Sequence, residues 1–321
     1  MSSLVACWPK ACQLPILRRC IPVPDNDTPT ASHHGGLARA MRRESTGTGA
    51  TVAVFPDKAQ LLEAAAVELV AVINRALDQR GRAQIVLTGG TSGIGLLERL
   101  ADPQKNLLGQ VTDWSGVQLW FGDERYLDAT DAQRNARQAW DALVGTLVAS
   151  YGLGREQFHP MAAATVGHAD RDHHDVLATS AEQYATELAT VAERDPGVDQ
   201  RLPRFDVVLL GVGEDGHVAS LFPGLPGVTI TGRTVIPVTG SPKPPPERLS
   251  LSLEALNSGD NVWLFAPGAG KAGPVGAVRS ADTPPAASGQ QRAMDEVLPA
   301  LVVRGRVETL WWVDEQALSE G

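Results

Sequence analysis

Residues Phe205 to Gly224 read F-D-V-V-L-L-G-V-G-E-D-G-H-V-A-S-L-F-P-G, and this stretch carries the side chains best suited to acid–base chemistry. An imidazole has an unperturbed pKa of about 6.5, so near neutral pH His217 is mostly the free base, able to accept a proton from water. Asp215 stands two residues before it and Ser220 three after it. A neighbouring carboxylate can orient the ring and steady the imidazolium that forms. Any one of these residues alone would read as a surface group beside a glycine turn; the cluster reads as a site.

The elements that must position this cluster are legible around it. Val207 to Leu210 is an apolar run too short for a lone helix, as expected of a strand buried on both faces. It breaks at Gly211, with Gly213 and Gly216 following, and open α/β sheets bind ligands beyond the carboxyl ends of their strands. A second strand, Gln84 to Thr88, runs into G-G-T-S-G-I-G and then a helical L-L-E-R-L. Strand, glycine loop and helix point free N–H groups at an anion, so Gly89, Gly90, Thr91 and Ser92 read as a phosphomonoester site. Neither a Walker A loop nor a clean G-x-G-x-x-G is present. A third strand, Val117 to Phe121, ends in G-D-E-R-Y, which directs Asp123 and Arg125 to the same crevice; Glu124 reads as a surface ion-pair residue. After a strand over Thr234 to Val238, the run S-P-K-P-P-P-E-R is expected to be a rigid extended loop offering the Arg248 guanidinium to an oxyanion. Lys271, in P-G-A-G-K-A after the strand Asn261 to Ala266, supplies a second cation. Helices are expected from Asp57 (a capping box with Gln60) to Gly81, over Ala132 to Val148, and over Leu177 to Val191. Gly276 to Gln291 reads as a mobile loop. In a last strand, Val307 to Val313, Trp311 and Trp312 read as packing residues.

Composition bounds the alternatives. The 321 residues are 43% hydrophobic and carry a formal charge of −9, which argues against a nucleic-acid surface. No apolar run reaches the roughly 18 residues of a membrane span. Cys7, Cys12 and Cys20 all fall in the first twenty residues, so no disulfide framework supports the fold and a cytoplasmic setting is expected. Residues 1–49 lack periodicity and are expected to be a disordered extension, with 50–321 forming a single α/β domain. The cysteines with His33 and His34 match no zinc spacing, and the His- and Asp-rich segment His168 to Asp175 reads as a polar insertion loop before the next helix, so no metal is expected. The oligomeric state stays open between a monomer and a weak dimer.

From about residue 51 to 318 the chain resembles the 6-phosphogluconolactonase family. The motifs that carry the resemblance are L-T-G-G-T-S, W-F-G-D-E-R with Asn135 beyond it, L-L-G-V-G-E-D-G-H-V-A-S-L-F-P, and P-K-P-P-P-E-R-L-S-L with G-K-A. The terminal W-W-V-D-E-Q-A is also similar. The first loop reads Gly-Gly-Thr-Ser-Gly where the family usually has Gly-Gly-Ser-Thr-Pro, which keeps two glycines and two hydroxyls. Residues 1–49 have no counterpart in it. The resemblance implies a Rossmann-like, open, mostly parallel sheet with helices on both faces, of the sugar-phosphate isomerase and lactonase type. It also implies hydrolysis of 6-phospho-D-glucono-1,5-lactone in the oxidative pentose phosphate pathway, without metal or organic cofactor. The partner is then a small phosphorylated sugar lactone, with no nucleic acid and no membrane. His217 would be the base, with Asp215 or Asp123 as its partner and Arg125 at the carbonyl oxygen. Gly89, Gly90, Thr91, Ser92, Gly213, Ser220, Arg248 and Lys271 would bind the substrate and its phosphate. A glucosamine-6-phosphate deaminase is the nearest alternative, but that family places a glutamate five residues after the histidine, where this chain has Phe222. A non-catalytic sugar-phosphate sensor is a second, for which residues 1–49 show no helix-turn-helix period.

Overall fold

Short apolar runs become the strands of the structure, a computed structural model that describes residues 35–164, 173–197, 199–281 and 297–319. These residues belong to one unit, His33–Gly321. In chain order the elements are β1 (Arg42–Ser45), β2 (Thr51–Phe55), α1 (Lys58–Arg80), β3 (Ala83–Leu87), α2 (Gly90–Leu100), β4 (Val117–Phe121) and β5 (Asp123–Arg125). There follow α3 (Asn135–Ala139), α4 (Gly145–Ser150), α5 (His173–Ala192), β6 (Val207–Gly211), β7 (Val235–Val238) and β8 (Arg248–Leu251). The chain ends with α6 (Leu253–Leu256), β9 (Asn261–Ala266), α7 (Ala272–Ser280), α8 (Pro299–Val302) and β10 (Glu308–Asp314).

Seven strands form one sheet in the order β1-β2-β10-β9-β6-β3-β4. All neighbours are parallel except β1, which pairs antiparallel with β2. From β3 the next strand of the sheet is added on one side, at β4; from β6 it is added on the other, at β9. The loops leaving β3 and β6 therefore diverge from adjacent strands, which is the topological switch point where α/β sheets open a crevice. A second, antiparallel sheet, β5-β8-β7, stands beside this edge. It begins where Gly122 ends β4: Gly122 N–H donates to Leu87 O, and its carbonyl accepts from Leu251 N–H, tying the small sheet to the large one.

The core is aromatic along the strands. Trp120, Trp263, Trp311, Trp312, Phe55, Phe121 and Phe265 are buried, with Phe55 stacked on Trp312 at 5.5 Å and Trp263 tilted against it at 5.2 Å. Trp311 and Trp312 are thus packing residues, as expected. Helix α1 starts as its sequence requires: the Asp57 carboxylate accepts Gln60 N–H at 2.8 Å and the Gln60 amide at 2.9 Å. It stops at Gly81, whose φ of +69° suits the left-handed cap. Its buried face, including Leu61, Leu62, Leu69 and Ile73, contributes roughly 2 kcal/mol per fully buried side chain.

Two expectations shift. The folded unit starts before residue 50, because Leu37 is buried and β1 extends the sheet. An edge strand of sequence R-R-E-S has no apolar alternation to betray it. The helix expected over 132–148 begins instead at Asn135 and reaches Ser150 through a π-helical turn at Trp140–Val144. The expected extension up to residue 34, with its cysteines and histidines, lies outside the described residues. So do most of the segment His168 to Asp175 and residues 282–291 of the expected loop, whose first residues, up to Ser280, are helical in α7.

Candidate active site

The loops after β3, β4, β6 and β9, with the proline loop before β8, line one cleft of about 410 Å³, the size of a small-molecule site. His217 forms part of its wall. The turn after β6 brings the ring back toward its own strand, with Gly216 at φ +76°. His217 Nδ1 lies 2.5 Å from Asp215 Oδ1. Because a carboxylate can only accept, Nδ1 carries the proton and Nε2 keeps its lone pair. Gly213 makes this approach possible: a Cβ there would lie 2.0 Å from His217 Nδ1. Phe222 packs on the other side of the ring, centroid to centroid at 4.5 Å. Burial pushes the His217 pKa below its ordinary value, against the raising pull of Asp215. The imidazole is therefore neutral at neutral pH. Burial raises the Asp215 pKa, but its hydrogen bonds and charge interaction with His217, together with the nearby Lys243 ammonium, hold it below the usual carboxylate range.

Which carboxylate partners the histidine is settled by these contacts. Asp215 does so from behind the cleft wall. Asp123 lines the cleft but is committed elsewhere: Ser220 Oγ donates to its Oδ2 at 2.7 Å, Asn135 Nδ2 lies 3.3 Å from its Oδ1, and Arg248 Nη1 stands 3.9 Å from Oδ2. Ser220, expected among the substrate-binding residues, is almost fully buried and absent from the cleft wall. Its hydroxyl steadies Asp123 instead.

The part of the cleft that carries the glycine loop and the cations is assembled from separate strands. Gly89, Gly90, Thr91 and Ser92 line the cleft at the start of α2. Asn135 closes against this loop so tightly that a Cβ on Gly89 would fall 1.9 Å from its Oδ1. Arg125 and Arg248 are directly opposed on β5 and β8. Two guanidiniums so placed repel unless an anion lies between or beside them. Burial pushes the Arg248 pKa down, although Asp123 opposes that. Half of the Arg248 fork is used internally, donating to the carbonyls of Pro245 at 3.2 Å, Lys243 at 3.0 Å and Pro244 at 3.1 Å. Arg125 Nη1 donates to Gln133 O. Lys271 joins from the turn before α7, its pKa lowered by burial.

Glu124 is a correction. Expected at the surface, it is completely buried and accepts N–H bonds from Arg125, Asn135 and Ala136, with Arg134 at 3.5 Å. It ties β5 to the start of α3 and so holds Asn135 in place. Sequence reasoning also assigned no role to Lys58, Lys243, Thr88 or Asn135, all of which line the cleft. For Lys243 the signal was its place in the proline loop, and for Asn135 its place just beyond W-F-G-D-E-R. Five basic side chains and one acidic one line a cleft in a protein of charge −9, so the local field selects anions against the molecule's overall charge. Among the described residues no group of three or more His, Cys, Asp or Glu side chains converges as a metal site. No helix among them is long and apolar enough to cross a membrane.

A family model described as glucosamine-6-phosphate isomerases/6-phosphogluconolactonase matches residues 56–315. The 6-phosphogluconolactonase of Streptomyces coelicolor is 44% identical over 268 residues, 83% of this chain and 93% of that protein. The 6-phosphogluconolactonase of Mycobacterium leprae is 40% identical over 271 residues, 84% of this chain and 98% of that one. Among solved structures, the 6-phosphogluconolactonase from Trypanosoma brucei aligns with a TM-score of 0.65 at 25% identity, covering 86% of this chain and 98% of its own.

Proposed function

The chain belongs to the glucosamine-6-phosphate isomerase/6-phosphogluconolactonase family and is an enzyme, a lactone hydrolase; from that premise we propose how it acts. The substrate is 6-phospho-D-glucono-1,5-lactone, opened to 6-phosphogluconate in the oxidative pentose phosphate pathway, in the cytoplasm. The observation that carries the mechanism is the His217–Asp215 pair at 2.5 Å on the wall of a cation-lined cleft.

Asp215 keeps the proton on Nδ1, leaving Nε2 as the base. A water whose proton passes to Nε2 adds its oxygen to the lactone carbonyl carbon. The negative charge that forms on the carbonyl oxygen is met by Arg125 or by N–H groups of the glycine loop. The tetrahedral intermediate then collapses with cleavage of the bond to the ring oxygen, and His217 returns its proton to that oxygen as it leaves. The new carboxyl group ionises in water. Gly90, Thr91, Ser92, Arg248 and Lys271 hold the phosphate at the far end, which fixes the carbonyl against His217.

The test offers two substrates to the purified chain. Release of acid from the phosphorylated lactone is expected, and release of ammonia from glucosamine 6-phosphate is not. The reverse result overturns the reading. Phe222, an apolar side chain packed on His217, occupies the place of the deaminase family's glutamate and speaks against the second activity.

A further inference from the structure

Lys58 belongs to none of the motifs that carry the family resemblance, yet its side chain lines the same cleft. It is the first residue of α1, so it stands at the carboxyl end of β2. α1 joins the end of β2 to the start of β3, and α2 leaves the end of β3. Both strands run parallel within one sheet, so the two helices run in the same direction. They are level at Gly95 and Leu62, where a Cβ on Gly95 would fall 2.9 Å from Leu62 Cδ1. Four residues earlier on each helix, about one turn nearer the strand ends, stand Lys58 and Thr91. Lys58 thus stands on its helix at the level of Thr91 at the start of α2, and both line the cleft.

The acids that could neutralise Lys58 are engaged elsewhere. Asp57 caps its own helix through Gln60, Glu63 is held by Lys105 at 2.8 Å and Arg39 at 3.5 Å, and Asp123 is held by Ser220, Asn135 and Arg248. Among the described residues the Lys58 side chain has no ion pair or hydrogen bond. A partly buried cation without a counterion, beside an N-terminal glycine loop, calls for an anion from solution.

We propose that Lys58 binds the substrate's phosphomonoester, as an arm of the phosphate clamp opposite Lys271 and alongside Thr91 and Ser92. The inference rests on the lactonase reading in treating that phosphate as part of the substrate. Calorimetry of inorganic phosphate binding to the full chain needs no turnover and separates the two. Lys58→Gln is expected to weaken phosphate binding about tenfold, and Lys58→Arg to restore it to within about threefold. With phosphorylated lactone, Lys58→Gln is expected to raise KM by about the same factor while most of kcat is retained. Unphosphorylated glucono-1,5-lactone, lacking the group Lys58 holds, should not discriminate the variant from the wild type. Lys58→Met, which keeps the aliphatic stem, serves as the second neutral variant should Lys58→Gln fold poorly. Phosphate affinity unchanged in a folded neutral variant overturns the proposal, as does a fall in kcat at constant KM, which would put Lys58 at the reacting carbon. A wild-type chain that binds phosphate but leaves the lactone intact would sink the lactonase reading and not this one.

Discussion

The two ends of the central sheet carry opposite kinds of electrostatics. At the amino ends of β3, β6 and β9 the charges are paired. Arg80 Nη2 donates to both Asp206 oxygens at 2.9 and 2.8 Å, Gln84 N–H donates to Asp206 Oδ2, and the Gln84 amide reaches Asp195. Asp260 is gripped by Arg204 at 2.9 Å and Arg306 at 3.0 Å. At the carboxyl ends, basic side chains outnumber the acids around the cleft, and Arg125 faces Arg248 across a strand pair. Paired charges at one end hold the strands in register; the excess of like charge at the other costs stability. Substitutions at the two ends should therefore fail in different ways, in stability at one and in turnover at the other.

The sharpest break of this contrast is at the base. His217→Ala is expected to lower kcat by about 10³-fold or more, with inorganic phosphate affinity held within a few fold. Steady-state rates and calorimetry read the two effects separately, and equal loss of both would mean a misfolded protein. Asp215→Asn should cost less, about 10²-fold in kcat, because the base survives but loses the carboxylate that orients it. The pH profile sharpens this further. Burial holds the His217 pKa below its ordinary 6.5, so activity should fall with acid through a midpoint below that value and stay level around neutrality. Asp215 raises the His217 pKa, so its replacement should move the acid limb to still lower pH. A limb moving upward would remove Asp215 from the pair.

The paired end is broken by Asp206→Ala, which leaves the Arg80 guanidinium largely buried without its closest counterion. A loss of about 3 kcal/mol is expected in urea unfolding, with KM for the phosphorylated lactone unchanged in the folded protein. A changed KM at normal stability would erase the distinction between the two ends.

The chemistry-bearing loops were legible because glycines ending apolar strands are a local signal, and the strands themselves announce which end faces the crevice. What was not legible depends on distance along the chain. β5 is three residues long and pairs with a strand some 125 positions later, through Asp123 opposite Ser250. No local pattern marks it. Glu124 reads as solvated until Arg134 and the N–H groups of Asn135 and Ala136 surround it. Lys58 reads as an ordinary helix-start lysine until α1 and α2 are seen side by side. The His217 partner could not be chosen between Asp123 and Asp215 until the Gly213–Gly216 turn folded Asp215 onto the ring.

Ser220 tests the border between the two kinds of charge at finest scale. Its sequence position, three residues past His217, suggested a substrate ligand, but its hydroxyl is buried and donates to Asp123 Oδ2 at 2.7 Å. Ser220→Ala should then act through Asp123 alone. Asp123 keeps its contacts with Asn135 and Arg248, so the carboxylate is loosened rather than released. A stability loss of about 1 kcal/mol and a fall in kcat/KM of about threefold are expected, with KM moving by less than about twofold. A large rise in KM would return the hydroxyl to the substrate. It would also show that the cleft wall rearranges on binding, so that Asp123 exchanges Ser220 for the sugar.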